Sequence, residues 1–224
     1  MLDAIDERLL IIDPTRKVIV KGKPPTVKKP KFLSQFELKL LLACLNLASA
    51  PNWDWFILLI AKTGLRLSEA LALCPSDFDF AERKIKITKT WDYKSADGGF
   101  AETKNASSRR TLQIDDKLNR QFAELISGLA ADKPIFVNGR VFNSTVNSRL
   151  ATLCKTANVP MISLHSLRHT HASNLIFAGV SIASIAKRLG HSSVTTTQET
   201  YQHIIAELEN QDNDKIIRHL SGLD

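Results

Sequence analysis

The ten residues SLHSLRHTHA, Ser163 to Ala172, contain three histidines and one arginine. His165 and Arg168 are three residues apart, so a helix would place an imidazole and a guanidinium on one face, which suits an anion. His165 and His169 also have the i, i+4 spacing of helical zinc ligands, with His171 as a third. Zinc is the weaker interpretation, because no glutamate follows His165 as in H-E-x-x-H and Arg168 would repel a cation. A solvated helix face is the plain alternative, and His171 is predicted to be a hydrogen-bonded core histidine.

Four further residues that could do chemistry lie in other segments. Arg66 lies in TGLRLSEALAL and His191 in LGHSS, each just after a glycine predicted to end a helix. Lys104 lies in ETKNASSRR, in or beside a predicted β-hairpin, and Tyr201 closes VTTTQETY. Any one of these segments alone is weak evidence, since most isolated tyrosines and histidines pack in a core or face solvent.

Taken together, TGLRLSEALAL, TKNASSRRTLQI, HSLRHTHASNL and LGHSSVTTTQETYQH resemble, in order, the catalytic domain of the tyrosine recombinases, the phage integrase family. The resemblance covers about residues 31–210. It implies a site-specific DNA recombinase that cleaves and rejoins duplex DNA to integrate or excise a phage or mobile element. The catalytic residues that it implies are Arg66, Lys104, His165, Arg168, His191 and the nucleophile Tyr201, with Glu69 as a supporting carboxylate that orients Arg66 or His165.

The chemistry that the resemblance implies is consistent with these residue types. The two arginines would hold the non-bridging oxygens of a five-coordinate phosphorus, because a planar guanidinium can contact two oxygens at once. Tyr201 has an ordinary pKa near 10 and needs a base, for which His165 is the candidate. Lys104 would protonate the leaving 5′ oxygen, and His191 would donate to a phosphate oxygen. The product would be a 3′-phosphotyrosine, and no metal and no cofactor is expected.

Two alternatives on the same fold are a type IB topoisomerase-like activity and a non-catalytic DNA-binding regulator. The expected partner is double-stranded DNA carrying attachment sites, with the chain a monomer alone and a tetramer on DNA. No membrane partner is expected, and the predicted location is the cytoplasm of a bacterial host cell. The net charge of +7 over 224 residues agrees with an anionic partner but does not select DNA by itself.

The elements that would position these residues are mostly helical. A capping box at Ser34 and Glu37 starts a helix to about Ala48, and Asn52 or Asp54 starts another that ends at Gly64. RKIKITKTW and SRRTLQI alternate as strands of a small antiparallel sheet. Four later helices are predicted over 115–130, 143–157, 163–178 and 181–189. The predicted fold class is therefore α+β, mostly helical with a small antiparallel sheet.

The domain organisation follows from a change in composition. Residues 1–30 include the lysine- and proline-rich VKGKPPTVKKP and are predicted to be a linker or leader from a missing N-terminal core-binding domain. Residues 31–224 are predicted to be the catalytic domain, with a C-terminal tail from about 203 to 224. Its apolar residues could dock on a neighbouring molecule or fold back. The three cysteines are widely separated, which argues against disulfides.

Overall fold

The computed structural model describes residues 32–95, 97–103, 105–202, 204–205 and 221, and shows the mostly helical α+β architecture that the sequence predicts. The helices are α1 Gln35–Ala43, α2 Trp53–Thr63, α3 Leu67–Leu71, α4 Asp116–Leu125, α5 Asn143–Thr156, α6 Leu164–Phe177 and α7 Ile182–Leu189, followed by α8 at residues 194–202. The strands are β1 Phe78–Asp79, β2 Lys84–Ile87, β3 Thr90–Trp91, β4 Phe100–Ala101 and β5 Arg110–Gln113. The predicted linker of residues 1–30 and most of the predicted tail lie outside the described residues.

The predicted capping box at the start of α1 is confirmed. The Ser34 hydroxyl accepts from the Glu37 N–H at 3.2 Å, and the Glu37 carboxylate accepts from the Ser34 N–H at 2.7 Å. Two backbone donors at the helix start, which have no partner within the helix, are therefore satisfied by side chains.

Helix α1 ends at Ala43, earlier than the predicted end near Ala48. The residues that follow bond to the start of α2 instead of continuing the helix. The Asp54 carboxylate accepts from the Asn46 N–H at 2.6 Å, and the Trp55 indole N–H donates to the Ala48 carbonyl at 2.8 Å. These side chains satisfy the backbone groups that a longer helix would have paired.

Helix α2 is the centre of the larger hydrophobic core. It begins at the Asn52 cap and ends at Gly64, whose φ of +69° is left-handed, as the sequence predicts. Its apolar residues face the core on every side of the helix, which is typical of a central helix packed on all sides. The buried ones are Trp55, Phe56, Ile57, Leu58, Leu59, Ile60 and Ala61.

The strands form two sheets rather than one. Antiparallel pairing gives a three-stranded sheet in the order β1-β2-β5, with Ile85 opposite Leu112, and a separate pair β3-β4. The predicted strand RKIKITKTW is therefore interrupted between Ile87 and Thr90. The Lys89 ammonium, within this break, contacts the Asp77 carboxylate at 2.6 Å, and the regular ladder stops there.

A smaller hydrophobic cluster joins α6, α7 and α8. Its buried members are Ala172, Ile176, Ile185, Leu189, Tyr201 and Ile204. Ile204 and Ile205, from the start of the predicted tail, pack against this cluster of their own chain. Of the helices in the described ranges, none has the length and hydropathy needed to cross a membrane.

We expect Gly64→Ala to destabilise the fold more than Gly128→Ala, although both glycines have a positive φ. A Cβ at Gly64 would lie 2.7 Å from the buried His171 ring, whereas a Cβ at Gly128 would meet nothing within 4 Å. Left-handed strain alone should cost about 1–2 kcal/mol at Gly128, and added overpacking should raise the cost at Gly64 to about 2–5 kcal/mol. Urea unfolding of both variants measures this; equal losses would contradict the packing argument.

Candidate active site

Helix α6 places Arg168 of the H-x-x-R pair in the protein interior, whereas His165 is exposed. Ser163 caps this helix, and Arg168 lies on its buried side with only 5% of the residue exposed. The Arg168 guanidinium donates to the Gly64 carbonyl, and it donates to the Leu189 carbonyl at 2.7 Å. Both acceptors are at or next to the C-terminal end of a helix, where backbone carbonyls lack partners within the helix and the helix dipole is negative.

Arg66 lies at the N-cap position of α3, directly after the turn at Gly64. Its guanidinium donates to Glu69 at 2.7 Å, to the Leu189 carbonyl at 3.3 Å and to the Gly190 carbonyl at 3.1 Å. The Leu189 carbonyl thus accepts from both Arg66 and Arg168. We call these two residues the arginine pair.

The arginine pair and His165 line one cavity of about 350 Å³, which we call the first cavity. The Arg66 side chain is 37% exposed, so the positive charge of the pair reaches solvent through this opening. Burial, together with the neighbouring charge of Arg66, lowers the pKa of Arg168 to about 9. A cavity lined by two cations that lack full solvation attracts an anion.

His165 and His191 both lie within reach of the charge of Arg168. Burial lowers the pKa of His165, and the charges of Arg168 and Arg66 add to this effect. Burial and the same two arginines lower the pKa of His191 to about 4, so its ring is neutral at pH 7. Because Arg168 is a donor only, its N–H at 3.2 Å assigns an acceptor role to His191 Nε2. In this geometry His191 Nδ1 donates to Thr197 at 2.7 Å.

Tyr201 is held in the smaller hydrophobic cluster, with 2% of the residue exposed. Its hydroxyl lies 2.8 Å from His169 Nδ1, and His169 Nε2 lies 3.1 Å from His165 Nε2. Burial raises the pKa of Tyr201 to about 12, although Arg168 acts in the opposite direction. A second cavity, of about 420 Å³, is lined by Tyr201, His169 and His165, so His165 borders both cavities.

Comparison with known proteins assigns this chain to a family. The model of the Phage integrase family matches residues 31–207, which is most of the chain. The chain belongs to the phage integrase family, the tyrosine recombinases. It is 31% identical to the ICEBs1 integrase of Bacillus subtilis strain 168, covering 95% of this chain and 61% of that protein. It is 28% identical to the integrase of Staphylococcus phage L54a, covering 70% of this chain and 49% of that one.

Solved structures show the same fold. The Tn1549 transposon integrase in complex with a circular intermediate DNA aligns with a TM-score of 0.68 at 20% identity, covering 94% of this chain and 75% of that one. The catalytic domain of bacteriophage HP1 integrase aligns with a TM-score of 0.53 at 25% identity, covering 77% of this chain and 87% of that one. The α+β fold is therefore that of a tyrosine recombinase catalytic domain. The chain spans about half to three fifths of the length of the curated relatives it matches.

The structure brings most of the sequence-predicted site residues of this phage integrase family member together. Arg66, His165 and Arg168 share the first cavity, and His191 contacts Arg168. Glu69 contacts Arg66 at 2.7 Å, one of the two residues that it is predicted to orient. Lys104 lies outside the described residues. Tyr201 is connected to His165 through His169, which contacts both residues.

Arg110 is a site residue that the sequence analysis missed. Its guanidinium contacts both oxygens of Glu69, at 3.0 and 2.9 Å, and donates to the Arg188 carbonyl at 2.7 Å. Its side chain is 5% exposed. A Cβ added to Gly190 would lie 2.7 Å from this guanidinium, so Arg110 can occupy its position only because residue 190 is a glycine. Strand alternation gave a signal, because Arg110 falls on the same face as the buried Leu112.

His169 was also missed, and His171 was predicted correctly. The sequence offers His169 only as a zinc ligand, although its i, i+4 spacing from His165 also predicts that the two rings lie side by side. His171 is a buried core histidine, with Nδ1 at 3.0 Å from the Ala61 carbonyl and Nε2 accepting from Arg188 at 2.9 Å. Its partners lie away from His165 and His169, so the three histidines do not converge on one point. Among the described residues, no group of side chains has the arrangement of a metal site.

We expect Glu69→Gln to reduce the free energy of unfolding by about 3–5 kcal/mol at pH 7, because it leaves the buried Arg110 uncompensated. Burial alone would raise the pKa of Glu69, but hydrogen bonds and charges from Arg110 and Arg66 lower it below 4.5. The stabilisation is therefore complete above pH 4.5 and is lost as the pH falls through the lower folded-state pKa.

The matched control for this prediction is Asp116→Asn. It removes the contact of 2.6 Å with Arg83, in which both side chains are at least half exposed. Exposed pairs contribute little, so little change is expected. Urea unfolding at pH 7 and pH 3.5 compares the variants. A Glu69→Gln loss no larger than that of Asp116→Asn, or one equal at both pH values, would show that the carboxylate is not compensating Arg110.

Proposed function

We propose that this chain acts as a site-specific DNA recombinase, or integrase, that cleaves and rejoins duplex DNA through a 3′-phosphotyrosine. The observation that carries the proposal is the arginine pair, which lines a cavity bordered by His165 and linked to the Tyr201 hydroxyl through His169. Two guanidiniums and a tyrosine hydroxyl suit phosphodiester cleavage, in which charge grows on the non-bridging oxygens while an oxygen nucleophile attacks phosphorus.

In the proposed reaction, the Tyr201 oxygen attacks the scissile phosphorus, and the bond from phosphorus to the 5′ oxygen breaks. The hydroxyl proton leaves toward His165, and the 5′ oxygen takes a proton, for which Lys104 is the proposed donor. A 5′ hydroxyl from another strand then reverses these steps and releases Tyr201. One phosphodiester replaces another, so the bond energy is kept and no ATP is required.

The binding partner that we propose is duplex DNA carrying the attachment sites of a phage or mobile element. The net charge of +7 favours a polyanion, and the similar Tn1549 integrase was solved in complex with DNA. The matched relatives of known origin include phage and transposon proteins, such as the transposase from transposon Tn916 of Enterococcus faecalis. Assembly from a monomer to a tetramer on DNA, and a location in the bacterial cytoplasm, belong to the same proposal.

The proposed chemistry predicts a covalent DNA adduct that survives SDS. We expect the chain to form it on a nicked suicide substrate carrying its attachment site, which traps the product because the cleaved strand is lost. Tyr201→Phe should abolish the adduct, since it removes the attacking oxygen. Thr152→Val, which removes an exposed hydroxyl on α5 that lines neither cavity, is the control and should keep adduct formation. An adduct that persists in Tyr201→Phe would exclude this nucleophile.

The arginine pair predicts that lysine cannot replace arginine in the first cavity. Arg66→Lys and Arg168→Lys should each slow single-turnover cleavage by about 10²–10³-fold, because one ammonium cannot reproduce the planar fork. Arg120→Lys is the matched control, since Arg120 is exposed on α4 and lines neither cavity. The net charge is equal in all three variants. Equal rates in the three would mean that the charge, and not the fork, is what the cavity supplies.

A further inference from the structure

His169 links the Tyr201 hydroxyl to His165 in an unbroken chain of contacts. The oxygen of Tyr201 lies 2.8 Å from Nδ1 of His169, and Nε2 of the same ring lies 3.1 Å from Nε2 of His165. Both distances are within the range of ordinary hydrogen bonds. The two histidines lie one turn apart on α6 with their rings edge to face, 4.6 Å between centroids. The helix itself therefore fixes their relative positions.

The two cavities explain why a connecting group is needed. The first cavity, with the arginine pair, includes His165 but not Tyr201, and the second includes His165, His169 and Tyr201. The ring in hydrogen-bonding contact with the buried hydroxyl is His169, whereas the ring that reaches the anion-binding side is His165. A proton that moves from Tyr201 to His165 thus has a direct route through one imidazole.

We propose that His169 carries the proton of the Tyr201 hydroxyl to His165 during strand cleavage, an inference that rests on the proposed function. The hydroxyl O–H breaks as an N–H bond forms at His169 Nδ1. The N–H at His169 Nε2 breaks as one forms at His165 Nε2. His169 is neutral before and after, in the opposite tautomer. Tyr201 becomes a phenolate whose electron pair forms the bond to phosphorus, and His165 becomes an imidazolium.

The charges around the first cavity make this proton transfer depend on DNA binding. When no anion is bound, the pKa of His165 is lowered by burial and by the charges of Arg168 and Arg66. His165 therefore holds a proton poorly in the free protein. A phosphodiester between the two guanidiniums cancels much of their repulsion and raises the proton affinity of His165. Tyr201 therefore keeps its proton in the free protein and loses it when a phosphate is in place.

A first experiment tests the direction of the relay without DNA. Histidine labelled with ¹⁵N reports the tautomer of His169, assigned with His169→Asn. We expect the proton on Nε2, with Nδ1 accepting from Tyr201. Labelling with 3-fluorotyrosine gives two ¹⁹F resonances, since the chain has two tyrosines, and His169→Phe should shift that of Tyr201 and not that of Tyr93. A proton on Nδ1, or an unmoved Tyr201 resonance, would overturn the relay.

A second experiment separates proton transfer from positioning. His169→Phe removes both functions, whereas His169→Asn keeps an amide near the Nδ1 position and cannot pass a proton through a ring. Both should slow single-turnover cleavage by about 10²–10⁴-fold, the usual range for acid–base assistance. Replacing Tyr201 with a fluorinated tyrosine of lower phenol pKa should restore much of this loss in both variants and should not speed the unsubstituted chain.

The outcomes are distinct. If His169 only positions Tyr201, His169→Asn should cleave nearly as fast as the unsubstituted chain, and fluorination should not rescue His169→Phe. Either result would refute the relay. A chain with native His169 that forms no adduct at all would count against the proposed function, and the tautomer measurement would still decide whether the hydroxyl donates to His169.

Discussion

Two like-charged guanidiniums are held side by side in this structure, and the candidate site depends on what offsets their repulsion. Three backbone carbonyls do so, from Gly64 after α2 and from Leu189 and Gly190 at the end of α7. A helix C-terminus presents unpaired carbonyls and a negative dipole, and two such ends meet here. The buried Glu69 supplies a full negative charge that contacts Arg66. Both helices end at a left-handed glycine, which turns the chain sharply.

The second part of the site is set by hydrophobic packing rather than charge. Tyr201 is buried among Ala172, Ile176, Ile185 and Leu189 in the smaller cluster, and this burial raises its pKa. The same packing that fixes the ring therefore makes the hydroxyl a poorer acid. His169 satisfies the buried hydroxyl, as a buried polar group requires, and does so from the helix that also carries Arg168. Helix α6 thus connects the charged part of the site with the apolar part.

The sequence predicted the local elements well and the long-range contacts less well. Caps at Ser34 and Asn52 and the glycine ends of α2 and α7 are local features, and the structure has them where the sequence predicted. The early end of α1 was not predicted, because it depends on Asp54 bonding back to Asn46. The break after Ile87 coincides with a contact to Asp77, which is distant in sequence. Periodicity records which face of an element is apolar, but not which remote partner competes for its backbone.

The same distinction applies to the site. Arg66, His165 and Arg168 were found through segments whose order resembles a family, and the structure places their side chains around one cavity. Arg110 and His169 were missed because each acts through another residue. A charged residue on the buried face of a strand has to find a counter-charge, so the alternation around Arg110 already required an acidic partner such as Glu69. Two histidines one turn apart likewise had to be in contact whatever their role.

The pKa values of His165, Arg168 and His191 are all lowered, and this links recognition to chemistry. Burial and then the arginines lower the proton affinity of His165 and His191, and burial and then Arg66 do the same to Arg168. In the proposed function, a phosphodiester bound in the first cavity would add a negative charge beside His165 and Arg168, which line the cavity, and near His191, which contacts Arg168. Each would then hold a proton more readily: Arg168 as a firm cation, His191 as a donor and His165 as an acceptor for the Tyr201 proton. The charge of a bound phosphodiester would thereby offset the positive charge of the arginine pair.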